Sequence, residues 1–178
     1  MTIAVVREST RIKRMYDGAN LILLLLISYA VYTAYSKLPE RFPTHFNFAG
    51  QPDGFGGRAS IIILAALAWV ITLTFYILIR YLGRNPRYLS MPHKEEFLKL
   101  PEQKQMKYWA LISEFMAGTL AGLNLLMYLA LRGIMLVAMG EATFLPFMYI
   151  WPAMGILLIL SVFYIIRLAT LPGKLIRE

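Results

Sequence analysis

The chain has 178 residues, 58% hydrophobic and only 16% charged, a balance outside the range of soluble globular domains. It contains no cysteine, which excludes a disulfide framework, a thiol nucleophile and a thiolate metal site. A formal net charge of +8 raises nucleic acid as a partner, but the placement of the basic residues points to a membrane surface instead.

Residues 1–17 read as a short basic tail carrying Arg7, Arg11, Lys13 and Arg14, with Ile3, Val5, Val6, Ile12 and Met15 able to lie on a membrane surface. The uncharged run that follows predicts a first transmembrane helix over about 18–36, since roughly 20 apolar residues cross ~30 Å of hydrocarbon. Ala34-Tyr35-Ser36 loosely resembles a signal-peptide cleavage site. The run is longer than a signal core and follows a polar segment, so it is read as a retained anchor. Tyr29, Tyr32 and Tyr35 recur every third residue and fall on one face of its second half, as interfacial anchors or a binding stripe.

A loop over 37–59 comes next, then a second span over 61–80 with Trp69 near its middle as a packing residue. The loop over 81–108 is basic and punctuated by Pro86, Pro92 and Pro101. It leaves room for a short surface helix between His93 and Leu100, with Pro101-Glu102 opening the helix of the third span. That span covers 109–131 and holds Glu114, Asn124 and a Gly118-x-x-x-Gly122 face suited to close helix contact. A fourth span covers 146–167, with Pro146 and Pro152 near its start. Lipid leaves no water to satisfy backbone amides, so these runs must be helical.

With Arg80 counted in the loop over 81–108 and Arg167 in the carboxyl-terminal tail that it borders, fourteen Lys and Arg lie in those two segments and the amino-terminal tail, against four in the other two loops. The positive-inside rule then puts both termini in the cytoplasm and residues 37–59 outside. The expected fold is a single all-α transmembrane domain over 1–178: four transmembrane helices, N-in/C-in, with an ordered extracytoplasmic loop between helices 1 and 2. Basic residues at the inner surface attract anionic lipid headgroups, which accounts for the charge without nucleic acid.

The loop "FPTHFNFAGQPDGFGGRAS" is the polar exception in an apolar chain. Pro43 sets an extended approach in which Thr44-His45-Phe46-Asn47 alternates, and Gln51-Pro52-Asp53-Gly54 fits a β-turn. The phenylalanines are expected to press on the bundle, with His45, Asn47 and Asp53 meeting above them. Three readings of that cluster stand side by side. Asn47 and Asp53 cap turns while His45 bonds a carbonyl; or Thr44, His45, Asn47, Asp53 and Arg58 form a surface for an extracytoplasmic partner; or His45 and Asp53 begin a metal or catalytic site. Zinc wants three or four ligands, and Glu40 and Glu141 are the other candidates on that side. No HExxH, GxSxG or paired-acid spacing occurs, so no catalytic residue, metal or cofactor is assigned. Within the spans Glu114 is expected to pair with Arg80 and Arg167, which end spans two and four at the same level, or to serve a proton or ion relay. Asn124 is expected to make an interhelical hydrogen bond.

The stretch "LPERFPTHFNFAGQPDGFGGRAS" also resembles the loop signature of a bacterial membrane domain of unknown function that forms the first part of SdpI-type toxin-immunity proteins. The matching residues are Leu38, Pro39, Pro43, His45, Phe46, Asn47, Gly50, Pro52, Asp53, Gly54 and Gly56. Weaker similarity includes Asn85-Pro86, the Glu114 position and Tyr164-Ile165-Ile166-Arg167. SdpI-type proteins are longer and have further spans. The resemblance implies a prokaryotic plasma-membrane protein whose outer loop is its hallmark, with no established enzymatic activity. The leading functional expectation is recognition of a peptide or membrane-protein partner at the outer face. A transporter or accessory subunit using Glu114 is the alternative, and a metal-dependent enzyme comes third. Membrane lipids and a second copy of the chain are further expected partners.

Overall fold

Long uncharged runs dictate helices, and the computed structural model arranges four of them side by side. It describes residues 2–84, 88 and 90–177, with side chains described for 10–81, 88 and 90–177. The order is α1 (Thr2–Tyr35), β1 (Arg41–Phe46), β2 (Pro52–Gly57), α2 (Ala59–Arg84), α3 (Lys94–Leu98), α4 (Glu102–Ala138) and α5 (Phe147–Arg177). Thr10–Tyr35 of α1, Ala59–Tyr81 of α2, and all of α4 and α5 are long and apolar enough to cross a membrane, the mark of a multi-pass membrane protein. The Asn85-Pro86 segment and Arg87 lie outside the described residues.

The helices overrun the expected spans. α1 is helical from Thr2, where a tail was expected, and a Lys13–Asp17 ion pair of 2.6 Å one turn apart supports its first half. α4, with 37 residues, is ~55 Å long at 1.5 Å per residue, well beyond the hydrocarbon thickness. Its extra turns hold the chain end of α5: Lys104 donates to the Leu175 carbonyl at 2.9 Å. α3 docks there through Phe97, which is fully buried and meets the Tyr108 ring edge-on at 5.2 Å, beside Ile112 and Leu175.

α4 is the hub of the bundle. It packs on α1, α5 and α2, and buries residues from Tyr108 to Met135. α5 is peripheral, with only Tyr164, Pro172 and Leu175 buried. Gly118 and Gly122 do not serve one partner. A methyl on Gly118 would meet the Tyr16 ring of α1 at 3.1 Å, whereas one on Gly122 would meet Leu157 of α5 at 2.5 Å. Four residues apart, the two glycines share one face of α4 and line the groove where α1 and α5 both approach it.

The fold is not purely α. Residues 41–57 form an antiparallel hairpin in which Arg41 faces Gly57 and Phe46 faces Pro52, with a bulge at Thr44. The hairpin stands on the core cluster at that end of the bundle. Phe42 and Leu38 are 1% exposed among Ile27, Val31, Ile61, Leu131 and Met135, and Phe46 packs against the same cluster. A backbone hydrogen bond from Leu145 to the Gly50 carbonyl, 2.9 Å long, ties its tip to the α4–α5 connection.

Candidate functional site

The hairpin turn lies four residues earlier than the Pro-Asp-Gly run suggests, at residues 47–50 rather than 51–54. Asn47 and Gln51 flank it: the Asn47 amide donates to the Gln51 carbonyl, and the Gly50 amide to the Asn47 carbonyl, each at 2.9 Å. The Asn47 carboxamide oxygen accepts from the amides of Ala49 at 2.9 Å and Gln51 at 3.0 Å, closing an Asx-type turn. Gly50 sits at φ +79°, a left-handed conformation that favours glycine. Pro52, Asp53 and Gly54 therefore belong to β2 rather than to a turn. Pro52 is tolerated because it opens a strand in a sheet of only two.

His45 and Asp53 meet across the strands, with Nδ1 to Oδ1 at 2.5 Å and side chains 74% and 43% exposed. Gly54 makes this possible. It is paired with His45, and a methyl there would lie 2.8 Å from the His45 Cβ. Gly56 likewise leaves room for Thr44 and Ser60, whose side-chain atoms would stand 2.9 and 2.8 Å from an added Cβ. Asn47 is occupied by its own turn, so the expected triad of His45, Asn47 and Asp53 is a pair plus a separate cap. Among the described residues no group of three or more His, Cys, Asp or Glu side chains converges to hold a metal.

Two aromatics complete the hairpin surface. Phe48 at the tip is 94% exposed and Phe55 on β2 is 55% exposed, so only part of the loop's aromatic set presses on the bundle. Arg58, at the hairpin base, is half-buried, with an Nε that is buried and lacks a hydrogen-bond partner among the described residues.

Inside the bundle the polar residues join three helices. Asn124 of α4 donates to Asn20 of α1 at 2.9 Å and to Thr72 of α2 at 3.1 Å, and Asn20 donates to the Ala117 carbonyl at 3.0 Å. One turn before Asn20, Asp17 accepts from the Tyr76 hydroxyl at 2.7 Å and from Lys13. Asp17 is thus a second carboxylate within the apolar helices, in addition to Glu114. Sequence reasoning missed Asp17, Asn20, Thr72 and Tyr76. Their common signal is a set of polar residues spaced to share levels of three predicted spans, but level matching requires knowing that α1 continues through Asp17.

Glu114 is 3% exposed, beside Tyr164 of α5 and one turn from Gly118. Among the described residues neither Arg80 nor Arg167 forms the expected ion pair with it. Arg80 is exposed on the outside of α2, and Arg167 lies over the Phe163 ring at 5.6 Å, exposed as well. Long basic side chains reach a polar boundary more cheaply than they enter a helix bundle.

A family described as Domain of unknown function (DUF1648) matches residues 21–69, which takes in the second half of α1, the hairpin and the first turns of α2. An uncharacterized protein of Archaeoglobus fulgidus is 30% identical over 94 residues, 51% of this chain and 51% of that protein. The chain thus spans about half the length of the relative it matches. No solved structure matches.

Proposed function

We propose that the protein is a non-enzymatic recognition protein of a prokaryotic plasma membrane. Its termini lie in the cytoplasm and its hairpin outside, and the hairpin captures a membrane-active peptide or a membrane-protein partner. The observation that carries this reading is the division of labour within residues 41–57. Phe42 and Gly50 tether the hairpin to the bundle, while Phe48, Phe55, His45 and Asp53 are left at the surface of a rigid support. Aromatic side chains are enriched at interfaces, and beside a hydrogen-bonded polar pair they offer a partner both apolar and polar contacts. The basic-residue distribution supports the orientation. An immunity role of the SdpI kind fits this geometry, in which a hairpin held at the membrane surface would bind the toxin before it inserts.

Affinity capture in mild detergent tests the reading. A partner retained by the wild type is expected to be lost from a His45→Ala/Asp53→Ala double variant and from Phe48→Ser, with membrane levels unchanged. Equal retention by all three would sink it.

The burial of Glu114 beside Tyr164 favours a second reading, a transporter or accessory subunit that uses this carboxylate. Glu114→Gln would then remove an ion-dependent activity and leave the bundle folded. A loss of thermal stability with no ion-dependent change would assign Glu114 to packing.

A further inference from the structure

Between α1 and α2, at the hairpin end, a cavity of about 870 Å³ opens to the side of the bundle. Its two ends differ chemically. Lys37, Ser36 and Tyr35 line the rim, while Val31, Ile62 and Ala65 form apolar walls lower down. Trp69 closes the bottom, fixed by a 3.0 Å hydrogen bond from its indole N–H to the Ser28 hydroxyl. Lys37 to Ser28 spans nine residues, or ~14 Å along α1. That depth is close to half of a ~30 Å hydrocarbon core, the reach of one lipid leaflet.

Lys37 brings a cation to that rim. Every residue lining the cavity falls between 28 and 69, inside the segment that matches DUF1648, so the cavity and the matched unit are built from the same stretch.

We propose that this cavity is a binding site for one anionic phospholipid. The phosphate sits at the rim against Lys37, and one acyl chain runs down the α1–α2 groove to Trp69. A free anion would not fill the apolar walls, and a zwitterionic lipid would bring its own cation to a cationic rim. The site does not depend on which side of the membrane the hairpin faces, nor on what the hairpin tip recognises.

Trp69 is a built-in reporter. In a Trp109→Phe/Trp151→Phe variant reconstituted in phosphatidylcholine vesicles, lipids brominated near the chain end are expected to quench its fluorescence. Brominated phosphatidylglycerol should do so at a mole fraction about fivefold lower than brominated phosphatidylcholine, the effect of one basic residue at a membrane surface. Lys37→Gln should bring the two lipids together, and Ala65→Leu/Ala66→Leu should weaken quenching by both. Equal quenching by the two lipids in the parent variant would mean an annular lipid only and overturn the proposal. Absence of quenching by either would also overturn it, and disulfide formation between copies carrying Tyr32→Cys would then identify a second chain as the occupant. Native mass spectrometry of the chain with all its tryptophans gives a second measurement. A phosphatidylglycerol adduct retained by the protein and lost in Lys37→Gln supports the site, and identical adducts in both overturn it.

Discussion

At Gly54 an added methyl would lie 2.8 Å from the His45 Cβ, an atom fixed to the backbone that cannot swing away. Gly54→Ala must therefore push the strands apart, at about 1–3 kcal/mol, the usual range for overpacking. The expected readout is a lower thermal midpoint together with faster proteolysis between residues 41 and 57. His45→Ala and Asp53→Ala should behave differently. Their hydrogen bond is largely exposed, so its loss costs ~1 kcal/mol or less, and thermal stability should barely change while partner capture fails. A large stability loss in both would reassign the pair to building the hairpin. The glycines and the turn residue of the loop are explained by local sterics: Asn47 caps, Gly50 takes φ +79°, and Gly54 and Gly56 make room for His45 and Thr44. The sequence displayed a turn but not its register. Pro-Asp-Gly and Asn-x-x-Gly are both turn formers, and the second prevails because its side chain satisfies two amides while Leu145 binds the Gly50 carbonyl.

Among the elements, α4 carries the assembly, and its glycines separate rigid from yielding contacts. A methyl at Gly122 would strike the Leu157 Cδ1, the free end of a side chain bordering a 720 Å³ apolar groove, so Leu157 can turn away. A methyl at Gly133 would strike the Pro146 ring at 2.7 Å, which cannot turn. Gly122→Ala is expected to be near neutral, because alanine also gains ~0.5–1 kcal/mol over glycine in a helix. Gly133→Ala should cost about 1–3 kcal/mol by displacing the α4–α5 connection from the hairpin tip. Comparing thermal midpoints of the two variants in one detergent checks this, and equal midpoints would contradict it. The Asn124 link between α1, α2 and α4 belongs to the same scale. Asn124→Leu keeps the volume and removes the hydrogen bonds, so a loss of ~0.6–1.7 kcal/mol is expected, measured by the same melts. Hydropathy made the four helices legible because lipid leaves no other choice. It could not show that α1 carries Asp17 into the bundle, or that Arg80 and Arg167 stay exposed. Those outcomes depend on which face each helix buries, and α5 buries so little that its pattern marks no side.

For the whole molecule, four crossings as proposed would put both ends of this sequence on one side of the membrane and the hairpin on the other, whichever way the chain is inserted. By the positive-inside rule the basic-residue asymmetry, fourteen against four, carried largely by the tails and the connection between α2 and α4, favours the insertion proposed above. Moving that connection outward would drag its cations across the bilayer, at a cost of ~2.5–3.5 kcal/mol for each one placed at mid-membrane on an insertion scale. The chain has no cysteine, so single introduced thiols report on topology without background. Phe48 is suited to one probe because it is 94% exposed at the hairpin tip. Glu95 on α3 suits the other, being exposed at the opposite end of the bundle. In intact cells Phe48→Cys should react fully with a membrane-impermeant maleimide, and Glu95→Cys only after permeabilisation. The reverse pattern would turn the protein over in the bilayer. The hairpin could then meet cytoplasmic partners only, and recognition of an extracytoplasmic peptide would be ruled out, while the lipid site between α1 and α2 would move to the inner leaflet with its chemistry intact.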